Sequence, residues 1–349
     1  MLAVISVYFF ISSIVLIKSS ASLLGESLAE GVVRLIRDTT GGVFAGWLTT
    51  AVLHSSGAFD SIIVAFVSSG VIPLSMAVAT IIGAELGTTI TPLLVSTFGY
   101  IRERRRLVSS FNVTMTHFLY NFLTFLIFYP AELFFGLFTR IAQAGGSIFV
   151  KASWLKSIPS ILDLATPWVD PLLTFIPAWM ALILGGLTII VSLWGLERYM
   201  TSIFSMPKSW NLIRATFTRP LRAFVAGFIF TILVPSTTVM VSLLVPLAAS
   251  GVISAEYHIL PYILGANIGT VFDVMIAALA TGDPVSLGVW LVHLSINLIG
   301  ALIFFPLIAP FSRLVRRSSE VVTRSPKRTI LFLAVFHAVP IAVLLRYFI

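Results

Sequence analysis

Long apolar runs separated by short polar loops dominate the hydropathy pattern of this chain. Residues 18–42 differ, because six charged residues alternate there with apolar ones, which predicts an amphipathic helix at the membrane interface. The first run has no basic segment before it and Lys18 after it, so we interpret it as a span and not as a cleaved signal. Each predicted span is near the ~20 residues that a bilayer requires: 1–17, 74–98, 107–129, 172–196, 256–280, 285–308 and 329–347.

Composition restricts the class of protein further. Of 349 residues, 58% are hydrophobic and 10% are charged, whereas about a quarter of the residues of a soluble domain are charged. The pattern and the composition together predict an all-α polytopic membrane protein. The chain has no cysteine, which excludes disulfides, thiolate metal sites and cysteine nucleophiles. The net charge of +8 arises from short loops and is typical of topological anchoring, so no nucleic-acid partner is expected.

A polar stretch in the middle of an apolar segment occurs twice. Gly46–Ile72 aligns without a gap with Gly227–Ile253. In both copies a group of small polar residues interrupts the apolar sequence. The two groups are His54, Ser55, Ser56 and Gly57 in the first copy, and Pro235, Ser236, Thr237 and Thr238 in the second.

The repeated segments can either cross the bilayer or enter it and turn back. If both cross, the basic loops 102–106 and 313–328 face opposite sides, which violates the positive-inside tendency. If both are re-entrant hairpins, 15 of the 22 Lys and Arg face the cytoplasm. This count of basic residues favours re-entrant hairpins that enter from opposite faces. The chain is therefore predicted to contain two inverted repeats with broken helices, which are typical of secondary transporters. The basic residues involved are Arg102, Arg104, Arg105, Arg106, Arg198, Lys208, Arg214, Arg219, Arg222, Arg313, Arg316, Arg317, Arg324, Lys327 and Arg328.

This topology divides the chain into five parts. A span and an interfacial helix come first, then repeat 1, a connector with one span, repeat 2, and a basic loop with the last span. Each repeat has a hairpin and two spans. The predicted boundaries are 1–42, 43–130, 131–222, 223–309 and 310–349.

A second motif is also duplicated. Gly83–Thr89 reads GAELGTT and matches Gly265–Val271, which reads GANIGTV, at nearly the same separation along the chain as the first repeated pair. Two glycines and a threonine around a polar side chain predict an unwound helix. Its carbonyl and hydroxyl oxygens are ligands that a hard cation such as sodium prefers.

A third pair consists of a histidine and an asparagine four residues apart. His117 and Asn121 recur as His293 and Asn297, again at a similar separation along the chain. A spacing of four puts both side chains on one helix face. We favour a packing or hydrogen-bonding role for these pairs, with direct contact to a substrate as the alternative.

Ionisable residues inside a bilayer are costly and usually functional, which draws attention to four positions in the apolar segments. They are His54, Asp60, Glu85 and Asp273. Glu85 can supply a negative ligand to sodium, or it can titrate and make transport proton-coupled, with His54 as its partner. A structural ion pair or a side chain that faces water is the alternative for each of them.

The tips of the two predicted hairpins are suited to an anion. Backbone groups freed at a tip must lie in protein or line a wet cavity. Helix amino termini that begin there offer N–H groups and a partial positive charge, and hydroxyls add donors. The alternative is that small hydroxyl residues only let helices pack closely, but two copies at one repeat position favour a binding role. The expected hydroxyl shell is Ser55, Ser56, Ser236, Thr237 and Thr238.

The order and duplication of these motifs resemble the sodium/phosphate cotransporter type II family over roughly half the chain. The family has Gln-Ser-Ser-Ser or Gln-Ser-Ser-Thr tips and a Gly-Ala-Asn-Ile-Gly-Thr-Thr element. This chain departs from it at four positions, with His54 and Pro235 in place of glutamine, Gly57 in place of a hydroxyl and Glu85 in place of asparagine. The resemblance implies that the tips bind phosphate and sodium, and that the ions lie near Thr88, Thr89, Asn267 and Thr270.

The sequence therefore predicts a plasma-membrane carrier, with a cytoplasmic amino terminus, that takes up phosphate or a similar small anion by alternating access. Sodium is the expected coupling ion, and no cofactor is expected. The alternatives are a proton-coupled carrier of another solute, a channel, and an intramembrane serine hydrolase. The hydrolase would pair Ser55 or Ser56 with His117 or His293. The oligomeric state is left open, with a homodimer as one alternative.

Overall fold

The computed structural model describes residues 2–150, 166–204, 216–251, 253 and 258–347, and these residues contain helices and no strand. Part of the predicted connector, the predicted start of a span at Glu256, and two residues of a predicted basic loop, Lys208 and Arg214, lie outside this range. The described helices are α1 (Leu2–Leu35), α2 (Thr39–Leu53), α3 (Ser56–Ser68), α4 (Leu74–Gly87), α5 (Ile90–Tyr100), α6 (Arg104–Phe135), α7 (Leu137–Val150), α8 (Val169–Phe175), α9 (Ala178–Phe204), α10 (Pro220–Leu233), α11 (Thr237–Ala249), α12 (Ile259–Thr281), α13 (Pro284–Phe304), α14 (Ile308–Val322) and α15 (Pro326–Leu345).

Seven helical segments in this part of the chain are long and apolar enough to cross a bilayer. Each overlaps one of the runs that the hydropathy pattern selects, which confirms an all-α multi-pass membrane protein. The segments are Val4–Gly25, Leu74–Tyr100, Arg104–Phe135, Ala178–Tyr199, Ile259–Thr281, Pro284–Val322 and Pro326–Leu345.

The first span is longer than the sequence predicts. Its apolar part continues past Lys18 to Gly25, where a φ of 49° kinks α1 before the helix resumes. Lys18 is tolerated because its Nζ donates a hydrogen bond of 2.6 Å to the carbonyl oxygen of Thr281, at the carboxyl end of α12. A cation is stabilised there by the partial negative charge of the helix terminus. The predicted boundary at residue 17 is therefore wrong.

The predicted connector begins as a helix. α6 continues through Pro130 to Phe135, and α7 follows after one residue. The buried carboxylate of Glu132 accepts hydrogen bonds from the amides of Phe138 at 2.7 Å and Thr139 at 3.1 Å. Glu132 thus stabilises the free amides at the start of α7.

Two helix pairs are interrupted at the same repeat position. α2 and α3 are 15 and 13 residues long, and α10 and α11 are 14 and 13. The Ser55 hydroxyl accepts the amide of Ala58 at 3.2 Å, and the Ser236 hydroxyl accepts the amide of Val239 at 3.2 Å. Each serine therefore caps the amino terminus of the second helix of its pair. That each pair enters and leaves at one membrane face stays a prediction.

Glycines let the first helix of each pair lie directly against a long helix. A Cβ on Gly46 would overlap the carbonyl of Thr80, and one on Gly83 would overlap the carbonyl of Val43, so α2 and α4 are in backbone contact. Gly227 and Gly265 hold α10 and α12 together in the same way, against the carbonyls of Tyr262 and Phe224. Small residues at such contacts are typical of membrane helices.

This packing corrects the prediction that both glycine-rich motifs unwind. The first copy is interrupted only at Thr88–Thr89, between α4 and α5, whereas α12 runs through the second copy without a break. The glycines remove side-chain bulk between helices, and this role does not require an unwound backbone. The prediction of a broken helix at the second copy is wrong.

The second helix of each pair packs against the other half of the chain. α3 lies against α12, and α11 lies against α5 and α6. The amino termini of α3 and α11 are thus brought into the centre of the structure from the two copies of the repeated polar stretch, which are far apart in sequence.

The start of α2 is tied to the end of the chain by Asp38. Its carboxylate accepts the Gly41 amide at 2.7 Å and the Tyr347 hydroxyl at 2.5 Å, and Arg346 lies 3.6 Å away. Burial raises the pKa of Asp38, but the hydrogen bonds from Tyr347 and Gly41 and the charge of Arg346 lower it more. The pKa is therefore below its ordinary value, and the carboxylate is ionised at neutral pH.

We predict that Gly83→Ala destabilises the protein by about 1–3 kcal/mol, because the new methyl group must push α2 away from α4. Gly186→Ala is the matched control, since Gly186 lies in α9 with nothing within 4 Å of the position of its Cβ. Thermal unfolding of the two purified variants measures the difference. Equal melting temperatures for both would contradict the backbone contact.

Candidate functional site

The breaks of the two helix pairs meet at a group of buried hydroxyls. The Oγ1 atoms of Thr88 and Thr238 lie 2.9 Å apart, and the Ser56 hydroxyl donates to Thr88 Oγ1 at 3.4 Å. All three side chains are buried. Thr88 thus links the first residue of α3 to the second residue of α11, and the predicted tips lie side by side.

Thr237 and Ser236 complete the second tip. The Thr237 hydroxyl donates to the carbonyl of Ala266 at 3.1 Å, which attaches the tip to the second glycine-rich motif. The Ser236 hydroxyl oxygen accepts the Val239 amide, and the Glu197 carboxylate on α9 lies near this hydroxyl. Both hydroxyls are buried, whereas Pro235 before them is half-buried.

His54 lies at the exposed side of the first tip. Its φ of 58° is in the left-handed region, which residues other than glycine seldom adopt, and its amide closes the end of α2. The ring Nδ1 pairs with the hydroxyl of Thr91 at 2.8 Å. The prediction that His54 is the partner of Glu85 is therefore wrong.

The partner of Glu85 is His293, in a buried cluster that also includes Asp60. His293 Nε2 lies 2.6 Å from Glu85 Oε1, and His293 Nδ1 lies 3.5 Å from Asp60 Oδ2. The exposed fraction is 0% for His293, 0% for Asp60 and 5% for Glu85. The ring thus lies between two carboxylates on α3 and α4.

Asp273 extends this cluster toward the first tip. Its Oδ1 accepts the amide of Val274 at 2.6 Å, while its Oδ2 has no hydrogen-bond partner and lies against Gly57. A Cβ on Gly57 would overlap this oxygen. The glycine at a position where related tips have a hydroxyl is therefore explained by the carboxylate that fills the space.

The corresponding cluster of the other half is neutral. The Asn267 amide donates to Asn121 Oδ1 at 3.3 Å, and His117 faces the Asn267 side chain. Within each histidine–asparagine pair, the asparagine side-chain amide donates to the backbone carbonyl of the histidine, at 2.9 Å for Asn121 and 3.1 Å for Asn297. Each glycine-rich motif therefore meets the histidine–asparagine pair of the other half.

The predicted ligand residue Thr89 is hydrogen-bonded within its own helix end. The Thr89 hydroxyl donates to the carbonyl of Leu86 at 2.7 Å, and so closes the end of α4. Thr270 is buried on α12, three residues after Asn267. The hydroxyl that connects the tips is that of Thr88.

Sequence reasoning missed Glu197. The structure brings this carboxylate near Ser236 and close enough to Asp273 for an electrostatic interaction. The predicted span ended at Leu196, which put Glu197 in a loop, whereas α9 continues to Phe204. A search for acidic residues within one helical turn of the end of each apolar run would have found Glu197.

A comparison with protein families identifies the family of this chain. A family model described as Na+/Pi-cotransporter matches residues 9–154 and 174–323. The chain belongs to this family.

Curated relatives within the Na+/Pi-cotransporter family are distant in sequence. Sodium-dependent phosphate transport protein 2A of Mus musculus is 25% identical over 393 residues, which cover 90% of this chain and 61% of that protein. Sodium-dependent phosphate transport protein 2B of Homo sapiens is 24% identical over 420 residues, which cover 90% and 59%. The chain therefore spans about three fifths of the length of these relatives. No solved structure matches the chain.

We predict that the pair Thr88→Cys and Thr238→Cys forms an intramolecular disulfide in native membranes under mild oxidation. The chain has no cysteine of its own, so a shift in gel mobility reports only this pair. The control pair is Thr88→Cys with Ser250→Cys, because Ser250 ends α11 about 18 Å from Thr238 along the helix. Cross-linking of the control pair, or of neither, would contradict the contact between the tips.

Proposed function

We propose that this member of the Na+/Pi-cotransporter family is a secondary active transporter that couples sodium to the uptake of inorganic phosphate or a similar small anion. The hydrogen bonds of Thr88 carry the proposal, because one connects it to Thr238 at the amino terminus of α11 and the other to Ser56 at the amino terminus of α3. The printed names of the relatives, sodium-dependent phosphate transport proteins 2A and 2B, supply the substrate and the ion.

The chemistry of the tips suits an oxyanion. Two helix amino termini direct partial positive charge to the same region, and hydroxyls can donate to anionic oxygens. Ser56, Thr237 and Thr238 are buried, so hydrogen bonds to an anion would form away from bulk water. The half-buried Ser55 and Pro235 and the exposed His54 lie at the more accessible edge of the tips.

Transport proceeds by alternating access in this proposal. The pairs α2–α3 and α10–α11, with the glycine-packed helices α4 and α12, move against the remaining spans. Sodium offsets the charge of the anion and orders the tips, so the binding of ion and anion is reciprocally coupled. Net inward positive charge lets the membrane potential contribute ~2.3 kcal/mol per charge per 100 mV. The basic loops favour an orientation with a cytoplasmic amino terminus, and the proposed location is the plasma membrane.

The bonding of the serines disfavours the hydrolase alternative. The Ser55 hydroxyl caps α3, and the Ser56 hydroxyl donates to Thr88. His293 lies against carboxylates, and His117 faces Asn267. A serine nucleophile needs a general base within hydrogen-bonding reach. The hydrogen bonds of Ser55 and Ser56 instead involve the Ala58 amide and the Thr88 hydroxyl.

We predict that the purified full-length protein in proteoliposomes takes up labelled phosphate when an inward sodium gradient is imposed. Uptake should saturate with phosphate and rise when the interior is made negative. Choline in place of sodium gives the background, and vesicles without protein are the control. Uptake that does not saturate would indicate a channel, and uptake that depends on a pH gradient and not on sodium would contradict sodium coupling.

We also predict that Ser56→Ala and Thr238→Val each weaken phosphate affinity about ten- to a hundredfold. A hydrogen bond to a charged group is worth about 1.5–3 kcal/mol, which corresponds to that range. The matched controls are Ser61→Ala and Ser242→Ala, because these hydroxyls lie on the same two helices and have no hydrogen-bond partner. Equal loss in the controls would show that the tips do not bind the anion specifically.

A further inference from the structure

One carboxylate oxygen at the first tip can only accept a hydrogen bond. Asp273, on α12 in the second half of the chain, directs its Oδ2 at Gly57, the second residue of α3. The residue is 2% exposed and Oδ2 has no hydrogen-bond partner, whereas Oδ1 accepts the amide of Val274. A buried polar atom without a partner is costly. A ligand at the tip that offers a donor would therefore satisfy Oδ2.

The backbone of the two tips offers donors. The first amides of a helix have no partner within that helix, and each capping serine accepts only the third of them. Ser55 caps the amide of Ala58, and Ser236 caps that of Val239. The first two amides of α3 and of α11 remain for a ligand. A bound oxyanion can accept from these amides, but Oδ2 of Asp273 needs a donor from it.

The electrostatics of this region disfavour an anion that has lost all its protons. In the described part of the chain, no lysine or arginine is among the buried side chains. Glu197 adds a second carboxylate, near Ser236 and within electrostatic range of Asp273. An oxyanion without a proton would meet Oδ2 with like charge, and like charges repel more strongly where water is excluded. A proton between the two oxygens replaces this repulsion with a charge-assisted hydrogen bond.

The packing of a half does not require a carboxylate at this position. The repeat alignment places Thr91 opposite Asp273, and Thr91 is half-buried and pairs with His54. The same alignment places Thr238 opposite Gly57. A Cβ on Gly57 would overlap Oδ2, so the glycine gives the carboxylate access to the amino terminus of α3. The carboxylate and the glycine thus form one feature that the other half lacks.

We propose that Asp273 makes the anion site selective for an oxyanion that carries a proton, such as phosphate, over one that carries none, such as sulfate. This inference rests on the proposed transport and names the residue that determines the class of anion. The hydroxyl of the bound anion donates to Oδ2, and its other oxygens accept from the amides and hydroxyls of the tips. Phosphate and arsenate keep at least one proton at neutral pH, whereas sulfate and selenate keep none.

Competition for radiolabelled phosphate bound to the detergent-purified full-length protein in sodium buffer tests the proposal without any transport step. Arsenate should displace phosphate from wild type, and sulfate and selenate should not. Asp273→Asn keeps an oxygen for the amide of Val274 and can present an N–H donor in place of Oδ2. The ratio of phosphate affinity to sulfate affinity should fall at least about tenfold, the value of one hydrogen bond to a charged group. Misfolding cannot produce the gain of sulfate binding that this change includes.

The matched control is Glu132→Gln, which also replaces a buried carboxylate with an amide but lies at the start of α7. Its selectivity should equal that of wild type. Asp273→Thr, which introduces the residue of the first half, serves as a second variant if the asparagine variant does not fold, and it should also lose selectivity. Wild-type selectivity in a folded Asp273 variant would overturn the proposal, as would an equal gain of sulfate binding in the control.

The outcomes for transport and for selectivity are separable. Selective phosphate binding without sodium-driven uptake would contradict the proposed transport, and the role of Asp273 would stand. Sodium-driven phosphate uptake that sulfate inhibits as strongly as arsenate does would support transport and contradict the role of Asp273. A wild-type protein that binds none of these anions would contradict both.

Discussion

A polar group or a charge inside a bilayer needs a partner, and the fold is arranged around this requirement. Water cannot solvate the interrupted helices or the carboxylates at membrane depth. Ser55 and Ser236 therefore cap the helices that begin at the breaks, Thr88 joins the two breaks, and Lys18 donates to a helix terminus. The buried carboxylates of Asp60 and Glu85 lie against the ring of His293.

Buried polar side chains of one half of the chain find their partners in the other half. The first glycine-rich motif brings Glu85 to His293, and the second brings Asn267 to Asn121. The glycines make this exchange possible, because they let α2 lie on α4 and α10 lie on α12 with backbones in contact. The second helix of each pair then packs against the other half of the chain. α3 lies against α12, and α11 lies against α6. The consequence is a central region in which neither half is complete by itself.

The same positions are neutral in one half and ionisable in the other. Charge at these positions is therefore not required for the packing of a half. Asn267 and Val241 satisfy packing and hydrogen bonding in one half, whereas Glu85 and Asp60 add charge in the other. In the proposed transport, an anion at the tips and a sodium ion would each lower the free-energy cost of binding the other, which is the physical basis of coupling. The membrane-spanning helices could be predicted from the sequence, because an apolar run long enough to cross a bilayer directly indicates a span.

The duplication of the polar stretch predicted that the two breaks lie together, and Ser56 and Thr238 both contact Thr88. The partner of Glu85 could not be predicted, since His54 and His293 have the same chemistry and only tertiary packing distinguishes them. The continuity of α12 was also hidden, because glycine serves both helix breaks and close helix contacts. Glu197 was missed because helix ends are poorly marked in sequence.

The central claim is that the two helix breaks form one anion site. The most direct test is a crystal of the full-length protein grown with sodium arsenate, a phosphate-like oxyanion whose arsenic atom is located by anomalous diffraction. The account predicts one strong peak between the amino termini of α3 and α11, with oxyanion oxygens within hydrogen-bonding distance of Ser56 and Thr238. A peak elsewhere in the protein, with both tips ordered and no arsenic between them, would contradict it.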